Sequence, residues 1–260
     1  MCRMIIGVFS QDTEMGEVIP FIESLRAAAE HDPFLVRYTN GRKTSHSDGW
    51  GYVIVSSNYI VEYKSLMPIY MDKKGYSQLF NHLQWIIEMN EAFAFMVHAR
   101  LASPGYRRIL VDTHPFHFYT VDNYDSWLAM NGTLMKECIK NKNNRSDTYN
   151  LVKDVSNEKF DEIPQKILEQ VIRNPGCVRA GLAIGMIGLN ILNSSIKGYF
   201  VYYLRSDKNC QDYYDYYDLK LDKGYVIMSS TVKYYLSEKH RAIVDRVNRI
   251  RSPAIYQVLI

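Results

Sequence analysis

The sequence predicts an α+β fold with antiparallel or mixed sheets, and three observations carry that reading. Strand-like segments lie at both ends of the 260-residue chain, helical periodicity comes in two blocks between them, and no internal repeat or low-complexity linker divides the chain. A single domain over residues 1–260 is therefore expected.

In chain order, 3-RMIIGVFS-10 is short, apolar and β-branched and reads as a strand. The stretch 17-EVIPFIESLRAAAEHD-32 has apolar residues at helical spacing. Polar, glycine-bearing 39-TNGRKTSHSDGWG-51 reads as a loop. Segments 51–57 and 59–65 form a hairpin about Asn58, and a helix is expected at Tyr76–Glu88. Three further strands are expected in 92–99, 114–121 and 126–132. Residues Ser146 to Arg173 are helical with a break near Pro164, and strands return at Lys197–Arg205, Tyr214–Leu221 and Tyr225–Ser230.

Composition excludes several classes. A formal net charge of +3, with Lys and Arg dispersed, does not predict nucleic-acid binding, and the 21 tyrosines come without an RNA-binding module signature. The most apolar segment, 180-AGLAIGMIGLNIL-192, is too short to span a membrane and carries three glycines. The start lacks a charged region followed by a long apolar one, so neither a signal peptide nor a membrane partner is expected. Cys2, Cys138, Cys177 and Cys210 are widely spaced, which implies neither a zinc ribbon nor a dense disulfide framework; a reducing cytoplasm is the default. His98, His114, His117 and Cys2 match no metal-ligand spacing, and no metal or cofactor is expected.

The residues that can carry chemistry begin with Cys2. Removal of Met1 would leave a thiol and an α-amine on one residue, and an amine with a pKa of about 8 is a built-in general base for the thiol. Arg100, in 97-VHARLASPG-105, closes an apolar strand and can clamp a carboxylate bidentately. Asn131-Gly132 is a turn signal that also sets a side-chain amide beside an unhindered backbone N–H, the two donors an oxyanion hole needs. Ser146 or Asp147 starts a helix, and Asp147 can cap it or accept an ammonium group. In 46-HSDGWGYV-53 the glycines suit a tight turn, and Trp50 can wall a pocket or fill a core.

Taken together and in order, Met1-Cys2-Arg3, Asp48-Gly49-Trp50-Gly51, His98-Ala99-Arg100, Ala102-Ser103, Thr113-His114-Pro115-Phe116, Asn131-Gly132-Thr133 and Ser146-Asp147-Thr148 resemble the class II glutamine amidotransferases of the N-terminal-nucleophile (Ntn) hydrolase superfamily, in their stand-alone glutaminase-domain form. The resemblance implies a four-layer αββα sandwich. It also implies that Cys2 attacks the side-chain amide of L-glutamine through a γ-glutamyl thioester and releases ammonia and glutamate. In that scheme Asn131 and the Gly132 N–H hold the oxyanion, Arg100 binds the α-carboxylate and Asp147 the α-ammonium, with Ser103 and Trp50 in the pocket. Relatives that carry a synthase domain have an aromatic residue and a Thr-His pair after the Arg, where this chain has Leu101, Ser103 and Pro104. Two other readings stay open: a hydrolase of another γ-glutamyl amide or peptide, and a catalytically inactive binding or regulatory subunit. The sequence does not name the ammonia acceptor, which can be a separate synthase subunit. The segment 228-MSST-231 loosely resembles a pocket lining, and the basic tail after Ser237 reads as a solvated face.

Overall fold

A computed structural model describes residues 2–102, 108–140, 145–205, 211–244 and 246–259. Strand β1 (Arg3–Phe9) leads to α1 (Met15–Glu30) and the short α2 (Pro33–Tyr38). The hairpin β2 (Trp50–Ser56) and β3 (Ile60–Ser65) precedes α3 (Lys73–Glu88) and β4 (Phe93–Ala99). Next come β5 (Phe116–Tyr119), β6 (Tyr124–Leu134), α4 (Asp147–Val155), α5 (Ile163–Arg173), β7 (Val178–Asn190) and β8 (Ile196–Leu204). A one-turn α6 (Gln211–Tyr214), β9 (Tyr216–Lys220), β10 (Gly224–Ser229), α7 (Ser230–Lys239), one-turn α8 (Arg241–Val244), β11 (Val247–Arg249) and β12 (Ala254–Leu259) close the order.

These strands make two antiparallel sheets. One has seven strands in the order β11-β9-β10-β1-β4-β2-β3, and the other five in the order β12-β8-β7-β6-β5. The period-two alternation of β1 shows how they stack. Ile5 and Phe9 face outward into a core shared with Phe21 and Leu25 of α1, Leu83 of α3 and Val232 of α7. Met4, Ile6 and Val8 face inward and meet Ala129, Ala183 and Phe200 of the other sheet. That second sheet covers its outer face with Leu151 of α4 and Ile167 of α5. The layers are therefore helix, sheet, sheet, helix, the four-layer sandwich expected above.

Most predicted elements are present within a few residues. The exceptions have physical causes. Strand β7 is central and, past Arg179, buried on nearly its whole length, so its sequence there is an apolar run with no alternation to reveal a strand. The helical stretch is interrupted near Pro164 as expected, between Val155 and Ile163, although Pro164 itself sits in the first turn of α5, where a missing N–H is harmless. Cys138 and Cys177, 39 positions apart, are joined by a disulfide, and the Met135 N–H donates to the Cys177 carbonyl beside it. Such a cross-link typically adds about 2–4 kcal/mol, and its partners meet only through the folding of β6 against β7. A bonded pair does not follow from the reducing cytoplasm taken as default.

Beneath β1 lies a buried polar cluster. The Arg3 guanidinium, at a core-facing position, pairs with Asp32 at 2.6 Å, and both side chains are fully buried. Asp32 also accepts from His46 Nε2 (2.8 Å), Thr231 Oγ1 (2.8 Å) and the backbone N–H groups of Phe34 and Leu35 at the start of α2. Burial alone would raise the Asp32 pKa, but Arg3 and His46 outweigh it and hold the carboxyl well below its ordinary range. One carboxylate thus ties β1, α2, the loop at His46 and α7 together.

Removing one partner of a buried pair leaves the other charge without compensation. Asp32→Ala is expected to lower the unfolding free energy by about 3–5 kcal/mol in urea denaturation. A loss below about 1 kcal/mol would show that the cluster does not hold the fold.

Candidate active site

The site is built at one end of the sandwich, where inward-facing positions of the two sheets meet. On β1 the inward set is 4, 6 and 8, so Cys2 continues it; on β6 the inward set is Trp127 and Ala129, so Asn131 continues that one. The Cys2 nitrogen donates to Asn131 Oδ1 at 2.8 Å. Asn131 Nδ2 donates to the hydroxyl of Tyr216, on β9, also at 2.8 Å. Asn131 and Tyr216 are each 1% exposed, so the amide is held from both ends. The register between β6 and β7 shifts between Gly132 and Leu134, a bulge that interrupts the ladder directly after Asn131. Gly132 is required there, since a Cβ would lie 2.7 Å from the Gly181 carbonyl oxygen at φ +157°.

The thiol faces the chain that follows β4. Its sulfur lies 3.4 Å from the Leu101 N–H and 3.7 Å from the Leu101 carbonyl. Arg100 precedes it, 4% exposed, with its N–H on the Gly49 carbonyl (2.8 Å) and its carbonyl taking the Asp48 N–H (3.0 Å). Gly49, at φ +107°, makes that turn, and a Cβ there would meet the Ser65 carbonyl at 2.6 Å. The Asp48 carboxylate accepts from the Ala102 N–H at 2.9 Å and pairs with Arg108 at 2.9 Å. The Asp-Gly turn thus fixes the backbone on both sides of Arg100 and Leu101.

Asp147 is the first residue of α4 rather than its cap; Ser146 caps the helix by accepting from the Tyr149 N–H at 3.2 Å. The Asp147 carboxylate accepts from the Leu134 N–H at 3.0 Å, just past the bulge. Arg145, paired with buried Asp112 at 2.8 Å, holds the approach to α4. Burial raises the Asp147 pKa to about 6, against the hydrogen bond from Leu134 and the charge of Arg100. Burial likewise pushes the Cys2 thiol up, with Arg100 acting in the opposite direction and Asp147 adding to the rise. Cys2, Arg100 and Asp147 therefore sense one another's charge.

The structure brings Cys2, Arg100, Asn131, Gly132 and Asp147 to this end of the sandwich. It does not bring Trp50, which corrects the expectation that its ring lines the pocket. Trp50 lies on the outward face of β2, fully buried against Tyr52 and Tyr63, with its indole N–H on Asp72 at 3.0 Å. Strand alternation forces this, because Gly51 and Val53 take the inward positions. Ser103 lies outside the described residues. His98 and His114 hydrogen-bond each other at 3.0 Å, while His117 pairs with Asp125 on β6. Among the described residues no group of three or more His, Cys, Asp or Glu is arranged to hold a metal ion, and no helix is long and apolar enough to cross a membrane.

Sequence reasoning missed Tyr216, Asp32 and the role of Arg3. The one signal available was Arg3 itself, a charge on an apolar strand at a core-facing position. Thr231, in the segment singled out for its loose likeness to a pocket lining, serves the Asp32 cluster.

The buried titratable groups fix a pH dependence. Burial lowers His46 to about 4 and His98 to about 3, and His114 well below its ordinary value. Their folded values lie below the unfolded value of about 6.5, so their contribution to stability is present above that pH and lost as pH falls. Asp147 runs the other way, its contribution being lost as pH rises through about 6. Near pH 5, unfolding is expected to take up about two protons from these four groups, lowering stability on the order of 2–3 kcal/mol per pH unit. Denaturation midpoints between pH 4.5 and 7 check this, and a flat profile would contradict it.

No family model matches the chain, and no curated protein matches it. Solved structures do. One is a glutamine phosphoribosylpyrophosphate (PRPP) amidotransferase from B. subtilis, complexed with ADP and GMP, at 11% identity and TM-score 0.51. Another is an allosteric regulatory enzyme of purine biosynthesis, at 13% identity and TM-score 0.51. Both alignments cover 98% of this chain but 46% of the other, so the chain spans about half the length of these neighbours. Two antiparallel sheets between helical layers, shared with them over nearly all of this chain, give it the Ntn-hydrolase fold.

Proposed function

We propose that the protein is a glutamine amidotransferase-type amidohydrolase that cleaves the side-chain amide of L-glutamine through a Cys2 thioester. The observation that supports this most is the contact between the Cys2 nitrogen and Asn131, made beside a thiol that rests on the Leu101 N–H. Once Met1 is removed, that nitrogen is an amine held 2.8 Å from a fixed acceptor and carried by the same residue as the nucleophile.

The mechanism follows from these positions. The amine takes the thiol proton as sulfur attacks the amide carbon, which offsets the cost of a buried thiol whose own pKa is raised. An amide nitrogen carries two hydrogens. Tyr216 takes one from Asn131 Nδ2, and the other, with the Gly132 N–H at the bulge, serves the oxyanion. The amine then returns its proton to the leaving ammonia, the C–N bond breaks, and water hydrolyses the thioester to glutamate. Arg100 meets the α-carboxylate of the substrate and Asp147 its α-ammonium, the latter as a carboxylate above about pH 6. A cytoplasmic location and a separate synthase subunit as ammonia acceptor belong to this same reading.

A diazoketone analogue of glutamine is expected to label Cys2, with glutamine protecting and Cys2→Ala abolishing both labelling and ammonia release. Intact mass is expected to show Met1 absent; retained Met1 in an active enzyme, or labelling at another residue, would sink the mechanism. Tyr216→Phe removes the group that fixes the Asn131 amide. It is expected to lower kcat by about 10- to 100-fold with little change in KM, as for a misplaced reacting group. A raised KM at unchanged kcat would assign Tyr216 to substrate binding instead.

A further inference from the structure

Beyond the thiol lies a cavity of about 480 Å³. Its lining includes Leu101, whose backbone touches the Cys2 sulfur, and Thr133, which follows Gly132. Ammonia, the leaving group of glutamine, needs about the volume of one water, roughly 30 Å³. The cavity is more than ten times that size and falls within the usual range for organic ligands.

Its lining has a definite chemistry. Tyr38, 43% exposed, stacks on the buried Tyr213 with ring centroids 4.9 Å apart and planes 8° apart, so Tyr38 is the aromatic ring the cavity can offer a ligand. Its backing is rigid, because Arg3 donates to the Tyr213 carbonyl at 2.9 Å and lies 4.3 Å from the Tyr213 ring centroid. Three cations, Arg42, Lys43 and Arg179, stand on the lining, and among the described residues no Asp or Glu does. Among the described residues none of the three forms an ion pair. An aromatic ring beside unmatched positive charge suits an organic anion with an apolar body.

The geometry points to this cavity as the binding site for the amine half of a γ-glutamyl amide whose leaving amine carries a carboxylate, with Arg42, Lys43 and Arg179 reading that charge. This deepens the amidohydrolase reading and rests on it. The bonds are those already given: the Cys2 sulfur forms the γ-glutamyl thioester, the C–N bond breaks, and the nitrogen departs with the thiol proton as a neutral primary amine. The amine half stays against Tyr38 until it leaves, and water completes hydrolysis.

The test compares two substrates that differ in one charge, γ-glutamyl-phenylalanine and γ-glutamyl-phenylalanine amide, on the mature enzyme, with glutamine alongside. The acid is expected to exceed its amide by at least about tenfold in kcat/KM. Reversing the charges together (Arg42→Glu, Lys43→Glu, Arg179→Glu), at exposed positions and with folding checked by thermal melting, is expected to bring the ratio to one or below. Equal rates on the two substrates, or a ratio unchanged in the triple variant, would overturn the assignment. If glutamine is cleaved without such discrimination, only the cavity assignment fails. If neither glutamine nor the γ-glutamyl compounds are cleaved, the amidohydrolase reading fails with it.

Discussion

The pairing of Arg3 with Asp32 is the constraint on which the rest of this end of the molecule depends. A guanidinium buried one residue after Cys2 would be prohibitively costly without a partner, and a carboxylate buried alone equally so. Five donors on Asp32 resolve both costs at once. Because they come from β1, α2, the His46 loop and α7, the first strand cannot slide or fray at its start without dismantling contacts in four places. A residue this near the start is otherwise among the least constrained parts of a chain. Here it is anchored through its immediate neighbour, on the opposite face of the strand from the thiol.

That opposition follows from strand geometry. With Arg3 facing the outer helices, Cys2 must face the other sheet, where Asn131 meets it. The same alternation sends Trp50 away from the cleft. The cleft is therefore furnished by residues at strand ends and the first turn of one helix, held by backbone hydrogen bonds: Asp48 and Gly49 fix Arg100, and Leu134 fixes Asp147. Burial makes both the thiol and the Asp147 carboxyl reluctant to ionise. In the proposed function, a substrate that brings an ammonium to Asp147 and a carboxylate to Arg100 supplies the charges that this burial withholds, so that binding and activation draw on the same electrostatics.

Much of this was legible in the sequence because it is local. The strand at 3–10 and the hairpin about Asn58 announce themselves by alternation and turn chemistry, whereas the turn signal of Asn131-Gly132 is overridden, both residues lying within β6 just before its bulge. The inward position of Cys2 and the helix start at Ser146-Asp147 are readable for the same reason. What stayed hidden depends on partners far along the chain. Arg3 and Asp32 are 29 positions apart, and Asn131 and Tyr216 are 85 apart. Residues 178–190 lacked a pattern because both faces of the strand are covered, and Trp50 carried two meanings that only its face on β2 separates. Tyr213 and Tyr216 were visible only as part of a tyrosine-rich run, whose members turn out to have different duties.

The division of labour around the thiol also bears on how such a site can be specific. The groups proposed to read the amino-acid head, Arg100 and Asp147, come from the ends of β4 and the start of α4. The groups on the far side come from α2 and the chain after it, the first residues of β7, and α6. The two sets adjoin at Leu101 and at Thr133, both on the cavity lining. A change in Arg42, Lys43 or Arg179 therefore leaves the geometry about Cys2, Asn131 and Tyr216 in place, because no hydrogen bond of that triad passes through them. On the proposed reading, recognition of the acyl half and recognition of the amine half are separable in this fold, with the Cys2 sulfur at the boundary between them.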